Sequence, residues 1–332
     1  MEKVFEGIVD TEEKIYEDSL RPSYLSDFIG QEHIKKSLSL YIKAASLRGD
    51  IIDHVLFYGS PGLGKTTLAT IIANESGKGV ITTSGAIIQR PADIISTLLG
   101  LQEGDVLFID EIHRLPKIVE EFLYPAMEDF AIDILCNDVD KGGERSATRM
   151  PLNKFTLVGA TTRAGMISSP LRNRFGIDYH MEFYGVKDLS YIALRSAKIL
   201  DVGINKPAAD FIAKGSRGTP RIVNRIIKRC RDVAQIEGDG LITLNVVKDT
   251  FVMLRIDDNG LDAMDRKIMT AILEFHDGGP VGINTLAVTV GEDDETIEAM
   301  HEPFLIQQGF LERTPRGRKA TKKAERYFSD SK

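Results

Sequence analysis

Gly59-Ser60-Pro61-Gly62-Leu63-Gly64-Lys65-Thr66 fits the pattern G-x-x-x-x-G-K-[ST], and its flanks decide the fold. Residues 54–58 (HVLFY) form a short apolar run that stops at Gly59, and 66–75 carry a helical pattern. Strand, glycine-rich loop, helix is the context in which backbone N–H groups turn inward on phosphate oxygens at a helix N-terminus. Such a loop places Gly62 and Gly64 along the phosphates. Lys65 then reaches the β/γ-phosphates, the Thr66 hydroxyl can hold Mg²⁺, and Thr67 sits one step further into the helix.

Working outward, residues 105–110 (DVLFID) and 155–159 (FTLVG) are two more continuous apolar runs. Continuous rather than alternating runs predict strands buried on both faces, as in a parallel sheet. Helical stretches lie between them, so the first half reads as a doubly wound α/β domain. Asp110 ends the second run, where a carboxylate can bind Mg²⁺ through water. Glu111 follows and can orient the attacking water, which makes the site hydrolytic rather than merely binding.

After Tyr184 the strand runs cease. Residues 188–200, 206–214, 219–235 and 244–254 read as a small all-helical domain, and 255–260 (RIDDNG) as a polar joint. Three helical patterns follow (261–275, 282–290, 293–308), then a hairpin over 309–321 turning at Pro315-Arg316-Gly317, the outline of a winged helix. The formal charge is -7, against a whole surface that coats nucleic acid. Between Glu312 and Arg326, however, seven basic residues face two acidic ones, a local net of +5. Arg313, Arg316 and Arg318 flank the turn and can lie along a phosphate backbone, a contact with little sequence information.

In 332 residues, 42% hydrophobic, no apolar run reaches a membrane span, and the acidic N-terminus has no apolar core of a secretion signal. Cys136 and Cys230 lie far apart and form no ligand-spaced pair, which fits inert thiols in a reducing cytosol. The expected domains are an acidic lead-in (1–19), a large P-loop domain (20–184), a small helical lid (185–255) and a winged helix (256–332).

Arg21-Pro22, Phe28-Ile29-Gly30-Gln31, GSPGLGKTTLA, FIDEIHRL, GATTR and SPLRNRFG together resemble the AAA+ ATPases. RGDIIDHVLFYGSPGLGKTTLA and IQQGFLERTPRGRKAT, in that order, narrow the resemblance to the RuvB family of Holliday-junction branch-migration motors, from about Leu20 to Arg326. The resemblance implies ATP/ADP and Mg²⁺ as ligands, with Leu20, Arg21 and Ile29 at the adenine end. Thr162 would be the polar sensor near the γ-phosphate, and Arg174 the arginine finger reaching a neighbouring subunit's ATP, with Arg172 as its rival. Arg221 would be the second sensor, and Tyr184 would line the nucleotide at the domain joint. Glu128, Asp129 and Phe130 would approach it from the adjacent subunit. It further implies a homohexamer, duplex arms of a Holliday junction as substrate, a hairpin within 132–155 that binds RuvA, RuvC in the same complex, and a bacterial cytoplasmic location at the nucleoid.

Two other classes compete. A clamp-loader-like AAA+ switch would remodel protein partners, and the basic winged module argues against it. A non-enzymatic winged-helix regulator would use nucleotide only as a ligand, and the Asp110-Glu111 pair argues against that.

Overall fold

The computed structural model describes residues 19–139 and 145–329. All but the last residue of the acidic lead-in, residues 140–144 within the expected hairpin region 132–155, and the side chain of Cys136 lie outside the described residues. The chain divides into two compact units. One comprises Arg21–Gly59 and Gly64–Glu182. The other comprises Phe183 onward with Leu20 and Ser60–Leu63, a short piece of the phosphate loop.

The first unit is built on five parallel strands in the order β2-β3-β6-β1-β7: β1 Val55–Tyr58, β2 Val80–Ser84, β3 Val106–Asp110, β6 Thr156–Thr161 and β7 Ile177–His180. The three central strands are the three continuous apolar runs. Leu56, Leu107, Ile109 and Leu157 are fully buried with Ile112, Leu123 and Phe155 in one core. No continuous apolar run marks β2 or β7 in the sequence, because both are edge strands with partly exposed side chains. Register sets the site. Tyr58 lies opposite Thr161, and Ile109 opposite Gly159, so the C-terminal ends of β1, β3 and β6 emerge side by side. That end of a parallel sheet is where doubly wound folds bind ligands. An antiparallel pair, β4 (Ala131–Val139) and β5 (Arg145–Pro151), forms the hairpin expected within 132–155.

In the second unit, helices Val186–Ile199, Lys206–Gly215, Pro220–Glu237 and Leu244–Leu254 form the helical domain, with two-residue strands Gly203–Ile204 and Leu241–Ile242 paired between them. Cys230 is fully buried here, and burial pushes its thiol pKa up to about 11, as an inert cysteine requires.

Helices then run over Ala263–Thr270 and Ile283–Val290, followed by the consecutive helical segments Asp294–Thr296, Ile297–His301 and Glu302–Gln307, and β10 (Leu311–Thr314) pairs with β11 (Gly317–Ala320) across Pro315 and Arg316. A final helix, Lys322–Ser329, was not anticipated, and Ala324 on it joins the core with Ile268, Leu286, Phe304 and Phe310. Arg217 ties these helices to the preceding ones. Its guanidinium donates to Asp262 (2.7 Å), Asp265 (3.1 Å) and the Met300 carbonyl (3.0 Å), and lies 4.6 Å from the Phe304 ring centre.

Candidate active site

The phosphate loop leaves β1 at Gly59. Gly59, Gly62 and Gly64 have φ of +143°, +80° and +103°, conformations that side chains disfavour. A Cβ on Gly59 would stand 2.6 Å from the Met181 carbonyl oxygen, so only glycine lets the loop pass. Lys65 opens helix Lys65–Glu75, and its buried Nζ donates to the Gly59 carbonyl at 2.8 Å. The cradle thus exists with its lysine folded against the loop mouth, and helix N–H groups point into it. Thr66 is half-buried, whereas Thr67 is buried.

Asp110 ends β3, and its carboxylate accepts the Glu111 N–H at 2.9 Å. With the Thr66 hydroxyl it offers an all-oxygen donor set of the kind that suits Mg²⁺. Glu111 has φ 46° and ψ 49°, a left-handed conformation for a non-glycine residue. Its carboxylate accepts from the Thr162 N–H (3.2 Å) and the Thr162 hydroxyl (3.1 Å), and lies 3.1 Å from His113 Nδ1. The structure therefore brings together Glu111 and Thr162, residues implicated separately in the sequence. His113 was missed; its only signal is its position two residues after Glu111.

Arg174 donates from Nη1 to the Pro170 carbonyl (2.8 Å), places Nε 3.2 Å from Glu128, and stacks 3.9 Å from the Tyr124 ring centre. The Nε–Glu128 approach is close enough for an ion pair but not aligned as a hydrogen bond. Arg172 instead pairs with Asp178 at 3.3 Å. Asp129 pairs with Arg149 at 2.5 Å, while Phe130 packs edge-on against Phe155. Glu128 and Arg174, both implicated at a subunit boundary, thus share one patch. Gln31 holds the Glu182 backbone at both its N–H (3.4 Å) and carbonyl (2.6 Å), and Ile29 and Arg21 are half-buried.

In the second unit, Tyr184 donates its hydroxyl to the Leu63 carbonyl at 3.0 Å, and the Arg221 N–H points at the Gly62 carbonyl at 3.4 Å. A Cβ on Gly62 would stand 3.1 Å from Arg221 Cβ. Tyr184 and Arg221 therefore grip the tip of the phosphate loop, with the exposed Arg221 side chain leading outward. The Leu20 carbonyl accepts from Arg195 at 2.8 Å.

At the winged helix one expectation is corrected. Arg318 is no surface cation. It is 6% exposed and paired with Glu302 and Glu298 inside the domain, because β11 alternates and turns this side chain toward the helices. Arg313, directly opposite it, is exposed and shares Glu298 at 2.6 Å. Arg316 stands exposed at the turn, and Lys319 is exposed beside Arg318.

A parallel sheet with a phosphate loop after β1, an acidic pair where β3 ends, and a small helical domain in the same chain define an ATP-hydrolysing AAA+ protein. Residues 20–181 match the family model described as the Holliday junction DNA helicase RuvB P-loop domain, 184–257 the RuvB AAA lid domain, and 258–329 the RuvB C-terminal winged helix domain. The chain belongs to the RuvB family.

A Staphylococcus aureus (strain JH9) protein named Holliday junction branch migration complex subunit RuvB is 52% identical over 330 residues, which is 99% of this chain and 98% of the relative. The Thermotoga maritima RuvB Holliday junction branch migration motor superposes with a TM-score of 0.84 at 50% identity, covering 94% of this chain and 98% of that one. A point variant of the same motor gives 0.85 at 50% identity, over 93% and 98%. Among the described residues, no helix is long and apolar enough to cross a membrane.

Proposed function

We propose that this chain is an ATP-driven motor that moves Holliday junctions in bacterial recombination and repair. The observation that carries the reading is that a carboxylate anchored for hydrolysis and a winged helix with an exposed basic turn belong to one chain, whose RuvB likeness runs from residue 20 to 329.

The loop N–H groups and Lys65 hold the ATP phosphates, with Lys65 exchanging the Gly59 carbonyl for a phosphate oxygen. Thr66 and Asp110 hold Mg²⁺, which neutralises phosphate charge when bound. Glu111 orients the attacking water, and Thr162 holds the Glu111 carboxylate. Leu20, Arg21 and Ile29 serve the adenine end. Tyr184 and Arg221 sense the nucleotide through the loop they grip.

Arg174 completes the site of a neighbouring copy in a homohexameric ring, where a guanidinium neutralises charge on the transferred phosphoryl group. Glu128, Asp129 and Phe130 border the same boundary. Duplex arms are drawn past Arg313 and Arg316 by phosphate contacts. The β4–β5 hairpin docks RuvA, RuvC acts in the same complex, and the work takes place at the nucleoid in the cytoplasm. The domains divide at about residues 184 and 255.

The test is a synthetic four-way junction with purified RuvA, ATP and Mg²⁺. Migration by the wild-type chain, and none by Glu111→Gln with ATP binding retained, is expected. A junction left unmoved by wild type sinks the reading.

A further inference from the structure

Glu111, on which the proposed hydrolysis turns, has a histidine ring beside its carboxylate. The left-handed backbone at Glu111 directs its carboxylate toward β6 and toward the short helical turn Ile112–Arg114 that follows it. Thr162 supplies two donors. A third polar atom, His113 Nδ1, lies 3.1 Å from Glu111 Oε2 and 2.9 Å from Thr161 Oγ1.

His113 is confined: its side chain is 8% exposed, and the turn that bears it is anchored by the fully buried Ile112. Thr161 is in turn fixed, because its Oγ1 accepts the Arg163 N–H at 2.9 Å. Nδ1 is hydrogen-bonded to Thr161 Oγ1, and its approach to Glu111 Oε2 is a close polar contact rather than an aligned hydrogen bond; a carboxylate, which offers only acceptors, favours the tautomer with the proton on Nδ1. Burial holds the imidazole below its usual pKa, with Glu111 opposing. The ring is therefore neutral near pH 7 and leaves the Glu111 charge uncancelled. A polar ring packed against the carboxylate from a rigid turn removes rotamer freedom from it, and small misplacements of a reacting group are costly.

We propose that His113 is a positioning residue for ATP hydrolysis, its ring held by Thr161 and setting the place of the Glu111 carboxylate through the close Nδ1–Oε2 contact. His113 does not touch ATP. The assignment rests on Glu111 acting as the water-orienting group.

The test uses the full-length chain, Mg²⁺-ATP and duplex DNA, measuring single-turnover hydrolysis, ATP-analogue affinity and thermal melting. His113→Ala should slow hydrolysis by about tenfold to a hundredfold with nucleotide affinity within about twofold. His113→Asn, whose amide N–H falls near the position of Nδ1, should recover most of the rate. His113→Gln, which extends toward the position of Nε2, should not. In a Glu111→Gln background, His113→Ala should add no further loss.

Equal rates for the Asn and Gln variants, an unchanged rate in His113→Ala, or a full additional loss on top of Glu111→Gln would each overturn the assignment. Should His113→Ala fail to melt cooperatively, the Asn and Gln comparison decides alone. Undiminished turnover in Glu111→Gln by itself removes the underlying reading of Glu111. A dead Glu111→Gln beside an unaffected His113→Ala removes only the role of His113.

Discussion

The guanidinium of Arg174 stacks 3.9 Å from the centre of the Tyr124 ring, with its Nε 3.2 Å from Glu128 on the same chain. The side chain is 21% exposed and held by a carbonyl, a carboxylate and a ring, so it is presented as an oriented cation rather than a loose one. Arg174→Ala should cost the isolated chain only about 1 kcal/mol, the scale of a lost cation–π contact. Turnover of the assembled enzyme should fall by about a thousandfold or more, the scale of a lost arginine finger. ATPase assays on mixtures with wild type should show inhibition beyond simple dilution. Linear dilution would argue against action across a boundary.

Arg316 and Arg318 should separate binding from folding. Arg316 is exposed at the turn, so Arg316→Ala should weaken DNA uniformly across sequences and lower the salt dependence of log K by about one. Arg318→Met removes the partner of Glu302, a carboxylate only 2% exposed, and should destabilise the winged helix by about 3–5 kcal/mol. Fluorescence anisotropy across a salt series and thermal melts distinguish the two. An Arg318→Met protein that melts like wild type would show that the pair is dispensable.

Arg217 should be the pin between the helical domain and the winged helix. It has φ 54°, its side chain is 11% exposed, and one of its partners, Asp265, is fully buried. Asp265 also meets His301 Nδ1 at 2.7 Å and accepts the N–H of Asp262, the N-cap of helix Ala263–Thr270, closing a capping box. Arg217→Met leaves a buried carboxylate without its cation, a loss of about 3–5 kcal/mol. Calorimetry should show the C-terminal transition moving to lower temperature, and its staying in place would refute the pin.

His54 should make the fold acid-sensitive. Its Nδ1 accepts the Leu157 N–H at 2.8 Å, so Nε2 carries the proton and donates to the Met127 carbonyl at 3.0 Å. A second proton would have to displace the Leu157 bond. Burial, opposed by the Met127 bond and Asp53, holds the pKa below 6.5. The unfolded chain therefore binds the proton first on acidification. The stabilising contribution is complete above about pH 6.5 and is lost as pH falls through the lower folded value, by at most about 1.4 kcal/mol per pH unit. Urea unfolding at pH 7.5 and 5.5 should show a smaller decline for His54→Gln than for wild type.

Much of this protein was legible in its sequence, because some signals are local. The Gly59–Thr66 loop needs glycine at particular backbone angles, and Asp110-Glu111 must follow a strand buried on both faces, so spacing and apolar runs reveal both. Helical periodicity likewise outlined the lid and winged helix. Tertiary structure decided the rest, because those properties depend on what lies opposite. Edge strands β2 and β7 lack apolar runs, since one of their sides has no neighbouring strand. Arg318 looks in sequence like Arg316, and only Glu298 and Glu302, contributed by a helix packed against the hairpin, turn it from a surface charge into an interior one. His113 gains a reason only when β6 brings Thr161 and Thr162 to the end of β3, a contact across about 50 residues that no local pattern encodes.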